Sequence, residues 1–95
     1  MAEYNEHVIR KRIRVYGDVQ GVGFRYRVEH AAGLAGATGW VQNEPDGSVL
    51  MEIQGTEKQI DEVFVMINRG TYITITGMDT KCIPVEENEY GFRRR

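Results

Sequence analysis

The order in which hydrophobic periodicities follow one another most restricts the folds open to this chain. From Val8 to Tyr16 the pattern alternates, with Ile9, Ile13 and Val15 on one face, Arg10, Arg12 and Arg14 on the other, and Lys11 interrupting the apolar side. A period of two reads as a half-buried strand. After a glycine-rich loop, Phe24, Val28, Ala31 and Ala35 recur at helical intervals, with Gly33 weakening the helix and Gly36 placed to close it. Gly39–Asn43 reads as a second strand, Glu44-Pro45-Asp46-Gly47 as a turn with proline at its second position, and Ser48 to Gln54 as the returning strand with Val49, Met51 and Ile53 inward. Thr56 and Gln59 form a capping box, Ile60, Val63, Phe64 and Ile67 one apolar stripe, and Gly70 after Arg69 is expected to stop this second helix. Tyr72 to Val85 suits a strand bent at Gly77, and Tyr90-Gly91-Phe92 is expected to add a short edge piece before the terminal arginines.

The resulting order is strand, helix, strand, strand, helix, strand. That is the split βαβ arrangement of the ferredoxin-like fold, an α+β sandwich with an antiparallel sheet and both helices on one face. With 95 residues, 41% hydrophobic, the chain suffices for one domain over residues 1–95 with a single core. No signal-like apolar run occupies Met1–His7, and nowhere do about 18 apolar residues follow one another, so no membrane partner and a cytoplasmic location are expected. Cys82, the only cysteine, cannot form an internal disulfide and is expected as a buried thiol. His7 and His30 stand apart from each other and from any carboxylate at ligand spacing, so neither metal nor cofactor is expected. A formal charge of −2 weighs against a general polyanion binder. Charge is nonetheless uneven, since Arg10, Lys11, Arg12 and Arg14 crowd the first strand and Arg93-Arg94-Arg95 end the chain. Such runs are mostly solvated faces, but they also raise the local concentration of a small anion.

The loop Val19-Gln20-Gly21-Val22-Gly23-Phe24-Arg25 places glycines and a guanidinium directly at a helix start. Gly21 and Gly23 let the main chain approach a ligand closely, and backbone N–H groups at a helix start converge on a negative oxygen. Arg25 adds a planar fork of donors that fits phosphate in two-point contact. A cation beside the positive end of a helix is unfavourable unless an anion lies between them. Two familiar glycine motifs are excluded: Phe24-Arg25 stand where a Walker loop needs Lys-Ser or Lys-Thr, and Tyr26 stands where a dinucleotide fingerprint starting at Gly21 needs Gly or Ala. Read alone, the loop reaches an oxyanion and no further. Asn43 read alone is equally an Asx residue before the Glu44-Pro45 turn.

Val15-Tyr16-Gly17-Asp18-Val19-Gln20-Gly21-Val22-Gly23-Phe24-Arg25 resembles the first signature of the acylphosphatases, and Gly39-Trp40-Val41-Gln42-Asn43-Glu44-Pro45-Asp46-Gly47-Ser48-Val49 resembles their second. The resemblance extends weakly through Arg69-Gly70 and Tyr90-Gly91-Phe92 and so spans nearly the whole chain. It implies the fold already indicated by periodicity and a metal-independent hydrolysis of small acyl phosphates to a carboxylate and inorganic phosphate. By the same resemblance, phosphate is held by Arg25 and the loop Gln20, Gly21, Val22, Gly23 and Phe24, and Asn43 orients the attacking water. Two departures stand out: Asp18 puts a negative charge beside the loop where the family often has a basic residue, and Gly70-Thr71-Tyr72 replaces a more usual Gly-Pro-Pro. Neither removes a catalytic group.

The chemistry is consistent with the residues. Phosphoryl transfer to water needs charge on the equatorial oxygens to be held and the nucleophile placed in line, and positioning with electrostatics does most of that. An acyl phosphate carries a good leaving group, so a neutral amide that both accepts from and donates to water suffices as orienter. Tyr16, Tyr26 and Trp40 are expected to pack the core or its rim, His30 to be a partly buried spacer, and Asp46 a turn residue. Two rival readings are an RNA-binding module of the same fold and a silent anion-binding regulatory domain. The first lacks stacking aromatics on its central strands, where the first strand presents mainly arginines. The expected partners are therefore an acyl phosphate and its product, not nucleic acid, and a self-contained core of this size favours a monomer.

Overall fold

The computed structural model describes residues 7–69 and 73–95. Strand β1 spans Val8–Asp18, helix α1 Phe24–Ala35, β2 Thr38–Asn43, β3 Val49–Thr56, α2 Glu57–Ile67, β4 Thr74–Ile83 and β5 Phe92–Arg94. The sheet order is β4-β1-β3-β2-β5. The first four strands pair antiparallel as expected, and β5 adds itself to β2 in parallel, with Gly39 opposite Phe92 and Val41 opposite Arg94. This edge strand begins at Phe92 rather than Tyr90, so Arg93 and Arg94 lie in the sheet and only Arg95 beyond it.

The apolar faces meet where their periods direct them. Ile13 and Val15 of β1, Val41 of β2, and Val49, Met51 and Ile53 of β3 form one core cluster with Val28, Ala31 and Ala32 of α1 and Ile60, Val63 and Ile67 of α2. The helices thus share one face of the sheet. Gly36 ends α1 in the left-handed conformation at φ 83°, its N–H donating to the Ala32 carbonyl. At the start of α2, Thr56 accepts from the Gln59 amide at 3.1 Å while the Gln59 side chain accepts from the Thr56 amide at 2.9 Å. Helix α2 ends at Ile67 with Asn68 as its cap; the stop expected at Gly70 lies outside the described residues. Pairing between β1 and β4 shifts register between Tyr16 and Gly17, which face Gly77 and Ile75, and the resulting bulge supplies the bend expected at Gly77.

Tertiary packing overturns four local expectations. Arg10, read as a residue of the solvated basic face, is only 1% exposed. Its guanidinium donates to Glu52 at 3.0 Å, to Gln54 at 3.0 Å and to both oxygens of Glu89 at 2.7 and 3.2 Å. The loop between β4 and β5 folds over β1 here and makes an interior of what a lone strand exposes. Arg12 and Arg14 are likewise paired, with Glu52 at 3.2 Å and Glu44 at 3.4 Å, so carboxylates absorb the basic surround expected of the first strand. Cys82 is exposed rather than buried, because β4 from Met78 to Cys82 is covered on neither face. His30 and Tyr26 are also exposed, and they stack on each other with ring centroids 6.0 Å apart on the outer surface of α1.

Burial pushes the Glu89 carboxyl up, but hydrogen bonds from Arg10 and Thr38 outweigh it and hold the group below its ordinary range. A carboxylate depressed by folding stabilises the native state above its unfolded pKa, and that contribution is lost as pH falls through the depressed value. Thermal melts across an acid pH series are therefore expected to show Tm falling below about pH 4.3, with Glu89→Gln flattening this limb by on the order of 1 kcal/mol, about 4–8 °C for a chain of this size. An acid limb identical in the variant would remove Glu89 from this role.

Candidate active site

Strand directions decide where chemistry can gather. Because β1 and β2 each run antiparallel to β3 and β5 runs parallel to β2, the C-terminal ends of β1, β2 and β5 point the same way. The chain leaving β1 must cross the start of β3 to begin α1 at that same end. Residues 19–23 make this crossing.

The loop is anchored at both sides by Val19 and Phe24, each 1% exposed, while Val22 points outward. Gly21 and Gly23 take φ of 77° and 78°, a conformation that costs a side-chain-bearing residue strain, and Gly23 is the N-cap of α1. No side chain caps this helix and no acidic residue stands in its first turn, so its leading N–H groups keep their capacity for an acceptor. The Gln20 amide donates to the carbonyls of Glu44 at 2.7 Å and Ser48 at 2.8 Å. This clamp ties the loop to the β2–β3 turn. The turn is itself closed by Gly47 N–H to the Glu44 carbonyl at 3.1 Å, with Asp46 accepting from the Ser48 amide and hydroxyl at 2.9 and 2.6 Å. Those hydrogen bonds from Ser48 hold Asp46 below the usual carboxylate range, which agrees with its reading as a turn residue.

A cleft of about 130 Å³ opens beside the loop. Gly21, Gly23, Phe24 and Arg25 line it from the loop and helix start, and Asn43 from the end of β2. Residues 18 positions apart in sequence therefore face one space. The side chains of Gln20 and Val22 do not line it: the first is spent on the clamp, and the second faces solvent. One guanidinium nitrogen of Arg25 donates to the main-chain oxygen of Arg95, which orients the fork while leaving donors for the cleft. Asn43 is exposed at the strand end, as an orienter of water must be.

Val19, Tyr26 and Arg94 complete the lining, and sequence reading did not find the last of these. Arg94 lies 5.7 Å over the Tyr26 ring and pairs with Glu29 at 3.5 Å. Arg95 stacks on Trp40 at 4.1 Å, so a β2 side chain carries the residue that follows the last strand. The only sequence signal was the basic run itself, and nothing in it specifies parallel pairing with β2. Among the described residues, no group of three His, Cys, Asp or Glu stands close enough to hold a metal ion, and no helix is long and apolar enough to cross a membrane.

Comparison with known proteins follows this geometry. A sequence model of the acylphosphatase family matches residues 11–94. The chain is 38% identical to an acylphosphatase of Rhizobium etli over 94 residues, covering 98% of this chain and 97% of that one. It is 39% identical to an acylphosphatase of Clostridium acetobutylicum over 85 residues, 88% of this chain and 93% of the other. The crystal structure of acylphosphatase from Bacillus subtilis superposes with a TM-score of 0.81 at 31% identity, covering 92% of this chain and 98% of that chain. The match spans both the glycine loop and the β2–β3 hairpin, and the chain belongs to the acylphosphatase family of hydrolases.

Proposed function

We propose that the cleft beside the glycine loop hydrolyses the carboxyl–phosphate bond of small acyl phosphates, with Arg25 and Asn43 as its catalytic residues. The observation that carries this reading is the convergence of loop, uncapped helix start, Arg25 and Asn43 on one small cleft. The amides of Gly21, Val22, Gly23 and Phe24 and the fork of Arg25 bind the phosphoryl oxygens. Gln20 serves that site from behind, since its clamp holds the loop against the hairpin that carries Asn43. The Asn43 carboxamide accepts a hydrogen bond from a water and aims its oxygen at phosphorus. As the new P–O bond forms, the bond to the acyl oxygen breaks, the carboxylate leaves with the electron pair, and the water proton passes to a phosphate oxygen or to solvent. A carboxylate needs no protonation to leave, so no general acid is required. With so good a leaving group, the phosphoryl charge held by Arg25 and the loop and a positioned water suffice without a strong general base or a divalent ion.

The same reading makes residues 1–95 one catalytic domain acting as a cytoplasmic monomer. Its exposed single thiol suits a reducing compartment. Nucleic acid is a poor partner for the strand arginines, because Arg10, Arg12 and Arg14 are engaged by Glu52, Glu89 and Glu44. The test is phosphate release from benzoyl phosphate with EDTA present. Turnover is expected to be unchanged by chelation; activity lost with EDTA and restored by magnesium would overturn the metal-independent mechanism, and no turnover at all would favour a silent anion-binding domain.

A further inference from the structure

We infer that Arg94 is a specificity-determining residue that selects acyl phosphates whose acyl part itself carries a negative charge. The inference rests on the assignment of the cleft to acyl phosphate hydrolysis. With a volume of about 130 Å³ and the buried Phe24 in its wall, the cleft has room for a phosphoryl group and little more. The acyl group must therefore emerge through the mouth. Among the lining residues, Tyr26 is 58% exposed and the Arg94 side chain 45% exposed, so both present long side chains to the emerging acyl group.

Charge balance gives Arg94 its meaning. Arg25 and the positive start of α1 already match a phosphoryl dianion, so a second permanent cation on the same wall exceeds what the phosphate needs. Glu29 offsets it incompletely, since the pair is 3.5 Å long and both partners are substantially exposed, at 45% and 36%. A guanidinium has five N–H donors, and one such contact leaves most of them for a ligand. Those donors form a fork that matches a carboxylate in two-point contact. Parallel pairing with β2, where Val41 lies opposite Arg94, fixes the main chain at this position, and the guanidinium lies over the Tyr26 ring on the cleft wall. An anionic substituent emerging at the mouth thus meets a cationic donor site.

The experiment compares kcat/KM for benzoyl phosphate and 4-carboxybenzoyl phosphate, which differ in the acyl charge and share the reacting bond. For the wild type, the ratio of the charged to the neutral substrate is expected to exceed that of Arg94→Gln by about tenfold, the scale of one partly exposed charge-assisted hydrogen bond. Arg94→Lys should restore part of the ratio, and added KCl should lower it in the wild type but not in Arg94→Gln. Thermal melts verify that the variants remain folded. A ratio unchanged by Arg94→Gln overturns the inference, whether both substrates are unaffected or both decline together; a joint decline accompanied by weaker inorganic phosphate binding would make Arg94 a phosphate ligand instead. A wild type inactive on both substrates would overturn the catalytic assignment of the cleft itself.

Discussion

Arg25→Ala is expected to lower kcat/KM by about 10³ or more and to abolish stabilisation by inorganic phosphate. The guanidinium lines the cleft at the first turn of α1, next to the uncapped amides, and in the proposed function it contacts the phosphoryl group both in the bound substrate and in the transition state. Loss of one positioned donor alone costs about 10²–10³ in rate, and here a charge is lost with it. Affinity falls too, because the ground state uses the same contact. Arg25→Lys should recover little, since an ammonium is a point charge and cannot reproduce the fork that is held on one side by the Arg95 main-chain oxygen. The binding half is read from thermal melts. Phosphate at 100 times its Kd stabilises the wild type by about 2.7 kcal/mol through mass action, and the variant should show no such shift beyond a control of equal ionic strength. Protection of Arg25→Ala equal to that of the wild type would place the phosphate elsewhere.

Asn43→Ala separates the nucleophile from the phosphate. Asn43 reaches the cleft from β2 rather than from the loop, and it is assigned to the water. Its removal is expected to lower kcat by about 10²–10³ with phosphate protection retained nearly in full. Folding should be unaffected, because the side chain is exposed at the end of a strand. Steady-state kinetics with phosphate titrations followed by melting decide the matter. Wild-type kcat in Asn43→Ala, or loss of phosphate binding as complete as in Arg25→Ala, would overturn the water-orienting role.

The two residues differ in how far sequence alone reached them. Arg25 is legible from local chemistry, because a glycine loop, a helix start and a fork of donors are contiguous in the chain. Asn43 is not: standing before Glu44-Pro45 it is equally a turn former, and the resemblance to a second family signature marked it. The structure supplies the missing link through Gln20, whose amide bridges the loop to the carbonyls of Glu44 and Ser48 and sets the β2–β3 hairpin beside the helix start. Gln20 was assigned to phosphate by the resemblance. Its side chain is bound to the neighbouring turn, a partner 24 and 28 residues away that no local reading could name, which leaves only its main chain for such a role.

By itself the sequence determined whatever depends on interactions within a few residues. The alternation in β1, the helical spacing of Val28 and Ala31, the Thr56–Gln59 box, the left-handed Gly36 and the turn closed by Gly47 all follow from side-chain period, caps and backbone freedom, which act locally. Tertiary structure alone decided the burial of Arg10, the exposure of Cys82 and the entry of Arg94 into the cleft. Each depends on a contact between distant segments: Glu89 folding over β1, β4 extending past its cover, and β5 joining β2 in parallel. An arginine on an alternating strand has the same local pattern whether water or a carboxylate receives its charge. Only the folded chain brings the carboxylate to it.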